Sequence, residues 1–193
     1  MFSGRKKELK YLQNRYESNK SEFVVLYGRR RIGKTELLKQ FALDKNHIFY
    51  SAIETVDKSQ LEMFSKELLK GSELENYIDS FKSWEEAFKF LADKSKKERI
   101  LIIIDEFPYM VNGNSSIPSI LQNIWDLNLK NSKLMLVLCG SSMSFMEKEL
   151  LSVKNPLYGR LTGNYKVEEF SIYETAELLH ELSFEEVVQY YGV

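Results

Sequence analysis

The sequence predicts a three-layer α/β domain, a mainly parallel sheet covered by helices on both faces, and three observations carry the prediction. The runs "EFVVLY", "ILIII" and "LMLVLC" are apolar almost without interruption over strand length, the pattern of strands buried on both faces. The segments between them carry apolar residues at helical spacing. Strand and helix therefore alternate, which is how parallel sheets are built, because each crossover needs a helix to return the chain. With 193 residues, 44% hydrophobic, 28% charged and only 3 prolines, the chain has the length and composition of one globular domain with a sizeable core, spanning 1–193.

Taken in order, Leu9, Leu12 and Tyr16 within "KKELKYLQNRYES" predict an amphipathic first helix, and "EFVVLY" the first strand. A glycine-bounded loop follows, then a helix in "KTELLKQFAL" with Leu37, Leu38 and Phe41 as its buried stripe. "HIFYSAI", aromatic and β-branched, reads as a second strand. Helices are expected at about Ser59 to Leu69 and Ser83 to Asp93, either side of the polar segment "KGSELENYIDS". "RILIIIDEF" is the third strand, "SIPSILQNIWDLNLK" a helix that tolerates Pro118 only in its first turn, and "KLMLVLC" the fourth strand. "SFMEKELL" predicts a short helix, "YKVEEF" a weaker fifth strand, and the stretch from about Ser171 to Glu181 a further helix.

Charge and cysteine content narrow the classes. A net charge of −1 gives no support to a strongly basic nucleic-acid binder, although a local patch or another domain can supply one. One cysteine, Cys139, leaves no internal disulfide framework and suits a reducing compartment. "MFSGRKKELK" places charge where a signal peptide needs an apolar stretch, and the longest apolar runs are too short to cross a bilayer. A cytoplasmic protein without a membrane span is expected.

The loop "GRRRIGKT", Gly28 to Thr35, matches G-x-x-x-x-G-K-[ST] between a strand and a helix, the phosphate-binding P-loop. Its glycines let the backbone curl so that N–H groups point at phosphate oxygens, and the helix N-terminus adds the positive end of its dipole. Lys34 is expected to reach the outer phosphates and Thr35 to offer its hydroxyl to Mg²⁺. Gly28, Arg29, Arg30, Arg31, Ile32, Gly33, Lys34, Thr35 and Glu36 form the candidate nucleotide-binding set. Backbone amides and Lys34 account for the phosphate contacts, so at least two of the three arginines are expected on a solvated rim; the remaining reading is that one senses the nucleotide or meets a partner. In either case their charge draws in an anion.

"ILIIIDE" ends a buried strand in two carboxylates about 70 residues after the P-loop. Asp105 is placed to hold the metal, and Glu106, immediately after it, to activate an attacking water. A further predicted strand lies between the two motifs, which favours the glutamate-bearing branch of P-loop ATPases over kinases and GTPases. "CGSS" ends the fourth strand; Ser141 or Ser142 either senses the γ-phosphate or caps the helix that follows. Cys139 reads as a core thiol, since no histidine partner is indicated. No N-K-x-D pattern for guanine follows any strand, so adenine is expected. His47 and His180 lack ligand spacing and read as structural.

Together, "FSGRKKEL", "GRRRIGKT", "IIIDEFPYM", "CGSSMSFM" and "PLYGRLTG" resemble the archaeal-type ATPase family, relatives of the STAND and AAA+ ATPases, over essentially the whole chain. The resemblance implies a five-stranded sheet in the order 5-1-4-3-2 and an N-terminal segment near the adenine, matched here by Phe2, Gly4 and Arg5. It also implies that Arg160, in "LYGRL", stands where such ATPases carry a conformation-sensing or finger-like arginine, acting on its own site or a neighbour's; the plain alternative is an ion pair with a surface carboxylate. Members of the family usually continue into a helical lid and a winged-helix or other C-terminal domain, whereas this sequence ends at Val193, so DNA or protein partners are expected to be engaged through such a region, and turnover to be slow. Two functions remain: hydrolysis of ATP with Mg²⁺, using Lys34, Glu106 and Arg160, and a switch set by bound ATP or ADP with little hydrolysis. A small-molecule kinase ranks behind both, since no acceptor pocket is evident in the sequence.

Overall fold

The computed structural model describes residues 4–191. Five strands, β1 (Glu22–Tyr27), β2 (His47–Ser51), β3 (Ile100–Asp105), β4 (Leu134–Gly140) and β5 (Gly163–Lys166), form one sheet in the order β2-β3-β4-β1-β5. Every paired neighbour is parallel, and the order is the one that the family resemblance implied. β1, β3 and β4, which occupy the middle of the sheet, are buried at every position, which is why their sequences show no polar alternation.

Helices cover both faces. On one side Val24, Leu26, Ile103 and Val137 pack with Leu12 of α1 (Lys6–Glu17) and with Leu37, Leu38 and Phe41 of α2 (Lys34–Ala42). On the other, Phe23, Val25, Ile102 and Leu136 pack with α3 (Asp57–Leu69), α4 (Trp84–Lys97), α5 (Phe107–Gly113) and α6 (Ile117–Leu127). Leu37 and Leu38 are fully buried; truncating either to alanine costs about 2–5 kcal/mol. Two 3₁₀ turns, at Glu73–Asn76 and Leu129–Asn131, and a π-type turn at Phe145–Leu150 complete the connections.

Three elements differ from the sequence reading. The fifth strand is Gly163–Lys166, earlier than "YKVEEF", because the chain leaves the sheet after Val167, whose amide donates to Tyr27 O at 2.7 Å, to bring Glu168 and Phe170 against Arg5. α5 was not expected: Pro108 sits in its first turn, where no N–H is needed, and Phe107 and Met110 bury against the core. α8 (Phe184–Tyr191) follows α7 (Ile172–Leu178) and was likewise unforeseen; Ser171 caps α7 through a reciprocal box with Glu174. No helix among the described residues is long and apolar enough to cross a membrane.

Candidate nucleotide-binding and catalytic site

All strands point the same way, so their C-terminal ends form one rim, and the singled-out motifs meet there. The loop after β1 turns through Gly28 and Gly33. A side chain at Gly28 would lie 2.3 Å from the carbonyl oxygen of Val167, so backbone crowding requires glycine. Gly33 has a different reason: its φ is +87° at the start of α2, while a Cβ there would face open space. The N–H groups of Gly33, Lys34 and Thr35 therefore stand at the free N-terminal end of α2, aimed as an anion requires.

Lys34 is buried, and its Nζ donates to Gly28 O at 2.9 Å and Arg29 O at 2.7 Å. The ammonium thus spans the loop from inside. Thr35 Oγ1 donates to Asp105 Oδ2 at 2.7 Å, joining α2 to the end of β3. Asp105 is itself buried and its other oxygen accepts the amide of Glu106 at 3.0 Å. Cys139 on β4 lies beside it: burial pushes the thiol well above its ordinary pKa and the Asp105 carboxylate pushes the same way, so the thiol stays neutral.

Glu106 has φ +52° at the N-cap of α5, and both its oxygens accept from Ser141 Oγ, at 2.8 and 2.9 Å. Ser142 instead accepts from the amide of Phe145 at 3.5 Å. The two serine readings thus divide: Ser141 faces the site and Ser142 caps the turn. A cavity of about 470 Å³ is bounded by Arg30, Arg31, Gly33, Lys34, Thr35, Glu36, Glu106, Tyr109 and Ser141. Glu36 is otherwise paired with Lys39 at 2.9 Å.

Of the three arginines, Arg29 pairs with Glu169 at 3.0 Å in an exposed bridge, Arg30 donates to Tyr109 Oη at 3.3 Å, and Arg31 is exposed at φ +66°. Arg5 behaves differently. It is buried, donating to Glu8 Oε1 at 3.0 Å, Glu168 O at 2.7 Å and Ile32 O at 2.7 Å, with its guanidinium 3.9 Å above the Phe170 ring. It braces the phosphate loop from behind through Ile32. Gly4 packs on the same ring, with no room for a side chain, while Phe2 lies outside the described residues. A second cavity of about 580 Å³, lined by Arg29, Ile32, Met143 and Val167 among others, adjoins this corner. Arg5, Arg31 and Glu106 all hold positive φ, a strained conformation for a non-glycine residue that concentrates at functional sites.

Arg160 does not join the group. It forms a bidentate pair with Asp126, the shortest contact being 2.6 Å. The neighbouring Thr162 bonds Phe23, at the start of β1, whereas the loop begins at Gly28. Five residues of strand at ~3.3 Å each put Arg160 roughly 17 Å from the loop of its own chain. Arg5's role as a brace and the Ser141–Glu106 contact were absent from the sequence reading. Only the "GR" near the N-terminus, which the resemblance put beside the adenine, hinted at the first, and nothing in one dimension signalled the second.

A parallel sheet in this strand order, a glycine-bounded loop opening α2 and an acidic strand end bonded to that helix define a P-loop ATPase fold. The chain belongs to the ATPase domain family found predominantly in Archaea, whose model matches residues 2–192. It is 40% identical over its full length to the uncharacterized protein MJECL04 of Methanocaldococcus jannaschii, covering 41% of that protein. Over 45 residues it is 49% identical to the uncharacterized ATP-binding protein MJ0423 of the same organism, 23% of this chain and 76% of that one. In fold it is similar to the Walker-type ATPase PABY2304 of Pyrococcus abyssi, with a TM-score of 0.77 at 19% identity over 97% of this chain and 62% of that one. It is also similar to the Aeropyrum pernix ORC1 protein in complex with DNA, with a TM-score of 0.65 at 16% identity over 96% of this chain and 50% of that one. The chain thus spans less than two thirds of the length of each of these proteins except MJ0423.

Proposed function

We propose that the chain binds ATP with Mg²⁺ in the cavity between the P-loop, β3 and β4 and hydrolyses it, driving or switching a partner domain. The observation that carries this is the 2.7 Å bond between Thr35 and Asp105, groups 70 residues apart in sequence. A buried carboxylate is costly unless it is partnered, and a metal-nucleotide complex would supply such a partner at the open end of the strand. The pair fits magnesium: both donors are hard oxygens, and no cluster of three or more acidic, His or Cys ligands exists among the described residues, as suits an ion that takes most of its ligands from phosphate and water. Bound there, the ion would neutralise charge on the phosphate oxygens.

Lys34 and the amides of Gly33 to Thr35 bind and orient the phosphates, while Arg30 and Arg31 at the cavity rim raise the local positive potential. Glu106 accepts a proton from water as the water oxygen bonds to the γ-phosphorus; the bond to the bridging oxygen breaks, and ADP and phosphate leave. Adenine is assigned to the corner near Ile32, Gly4 and Arg5. Partners, DNA or protein, are assigned to regions that the longer relatives carry, and Arg160 to the site of a neighbouring copy.

A second reading, a nucleotide-dependent switch with little turnover, is favoured by one feature: Glu106 is bonded to Ser141 rather than free to meet water. Calorimetry with MgATP and phosphate release separate the two. In Lys34→Ala, nucleotide uptake should fall at least tenfold. Glu106→Gln should bind normally with turnover lowered by about 10²-fold or more; measurable binding with no turnover in the wild type would leave only the switch.

A further inference from the structure

The net charge of −1 hides an uneven distribution. From Glu168 to Tyr191 the chain carries seven glutamates and neither lysine nor arginine, and the pairs Arg29–Glu169 and Lys6–Glu177 hold this acidic stretch at the phosphate-loop end of the molecule. The opposite end is basic. Because β3, β4 and β1 are adjacent and parallel, the connections leading into them emerge side by side and bring Arg99, Lys133 and Lys20 together. Arg99 ties them: its Nη1 donates to Lys20 O and, at 3.3 Å, to Lys133 O, and its Nη2 to Arg15 O at 3.0 Å. The Lys133 amide donates to Ser95 O at 2.9 Å, which sets Lys94 and Lys97 of α4 alongside, and Ser21 Oγ bonds Leu129 O, next to Lys130. Among the described residues none of these six cations is in an ion pair. Of the acids in the same connections, Glu17, Asp93 and Glu98, only Asp93 is paired, with Lys96 at 2.7 Å. The last turn of α4 accounts for Lys94 and Lys97 as partners of the helix dipole; Lys20 and Lys133 stand outside any helix, exposed.

We propose that this rim binds the phosphate backbone of duplex nucleic acid, at the end of the sheet away from the nucleotide. The six residues of β1, at ~3.3 Å each, separate it from the phosphate loop by roughly 20 Å. Cations spread across three strands ~4.8 Å apart face a polymer that presents a charge every ~1.7 Å of its axis. The aromatic rings at hand are not open to stacking: Tyr16 lies beneath Arg99, its centroid 5.1 Å from the guanidinium, and Trp125 is buried. A single strand would therefore find no platform for its bases. Arg99 already uses its terminal nitrogens on carbonyls, and the lysines are point charges without the planar fork that reads a base pair, so recognition is of backbone and independent of sequence. The acidic stretch at the other end repels the same polymer and directs it to the rim. None of this depends on nucleotide binding.

The test is fluorescence anisotropy with a labelled, mixed-sequence DNA duplex of about 30 base pairs. Neutralising about four phosphates predicts that affinity falls on the order of 10²-fold between about 50 and about 200 mM salt. Lys130→Glu with Lys133→Glu is expected to weaken binding at low salt by at least about tenfold. Lys130→Gln with Lys133→Gln, a milder change, should weaken it by less and gives a second measurement if the reversal perturbs folding. Reversing Lys82, just before α4, and Lys148, just after β4, changes net charge equally at the other end of the sheet and should leave affinity within about twofold. Lys34→Ala should bind the duplex as the wild type does, whatever it does to MgATP. An equal loss with Lys82 and Lys148 reversed would mean a response to net charge alone, and an equal loss in Arg30→Glu with Arg31→Glu would move the site to the phosphate loop; either overturns the rim. Tighter binding of a single strand of the same length, or uptake by phosphatidylserine vesicles without uptake of the duplex, overturns the choice of partner. No change in anisotropy at low salt overturns the proposal outright and leaves the nucleotide reading untouched.

Discussion

At the scale of single residues, the site depends on groups that face inward to the protein as much as on those that face the cavity. Arg5 fills three acceptors at once, and its partner Glu8 is as buried as it is, with side-chain exposures of 5% and 8%. Removing the guanidinium would strand a buried carboxylate and two carbonyls. Arg5→Ala is expected to lower stability by about 3 kcal/mol in urea unfolding. Arg5→Lys should recover little of this, because one ammonium lacks the planar fork that serves Glu8, Ile32 and Glu168 together. Cys139 offers a different check. Burial, reinforced by Asp105, raises its thiol pKa, so at pH 8 an aromatic disulfide reagent should label it only as the chain unfolds, with a rate that tracks urea concentration.

At the scale of elements, one carboxylate ties three of them. Glu22, at the start of β1, accepts from Arg15 of α1 at 2.9 Å, from Ser18 at 3.1 Å and from Thr162 just before β5. Burial alone would raise its pKa, but the bonds from Thr162, Arg15 and Ser18 outweigh burial and hold the carboxyl below its ordinary value of 4.5. A depressed carboxylate binds its proton more readily in the unfolded chain, so its contribution is fully present above pH 4.5 and is lost as pH falls through the folded-state pKa. Urea midpoints measured from pH 6 down to pH 3 should fall more steeply for the wild type than for Glu22→Gln. Equal slopes would show that Glu22 is not coupled to folding.

At the scale of the whole molecule, the sheet separates Arg160 from the phosphate loop by the length of β1. Its pair with Asp126 is partly exposed, at 28% and 40%, so Arg160→Ala should cost under about 1 kcal/mol of stability. Nucleotide affinity of the isolated chain should be unchanged. If Arg160 serves a neighbour, its loss should lower turnover only at concentrations where copies associate, and mixing with a Lys34→Ala variant that keeps Arg160 should restore it. A drop in affinity in the dilute monomer would contradict the distance argument.

What could be read in one dimension was whatever local chemistry dictates. Unbroken apolar runs announced β1, β3 and β4, because central strands of a parallel sheet leave no polar face. Gly28, Gly33, Lys34 and Thr35 announced the phosphate loop, since that backbone path tolerates few alternatives. Choices among equivalent residues were left to tertiary contact. Ser141 and Ser142 are identical by type, and only the direction of β4 turns one toward Glu106. The family resemblance put Arg5 near the adenine and left Arg160 open between its own site, a neighbour's and a surface ion pair; packing sets Arg5 against the back of the loop at Ile32 O and pairs Arg160 with Asp126 at the far end of the sheet. A motif specifies the residues that touch a ligand, but which side chains touch one another is decided when distant elements come within 3 Å.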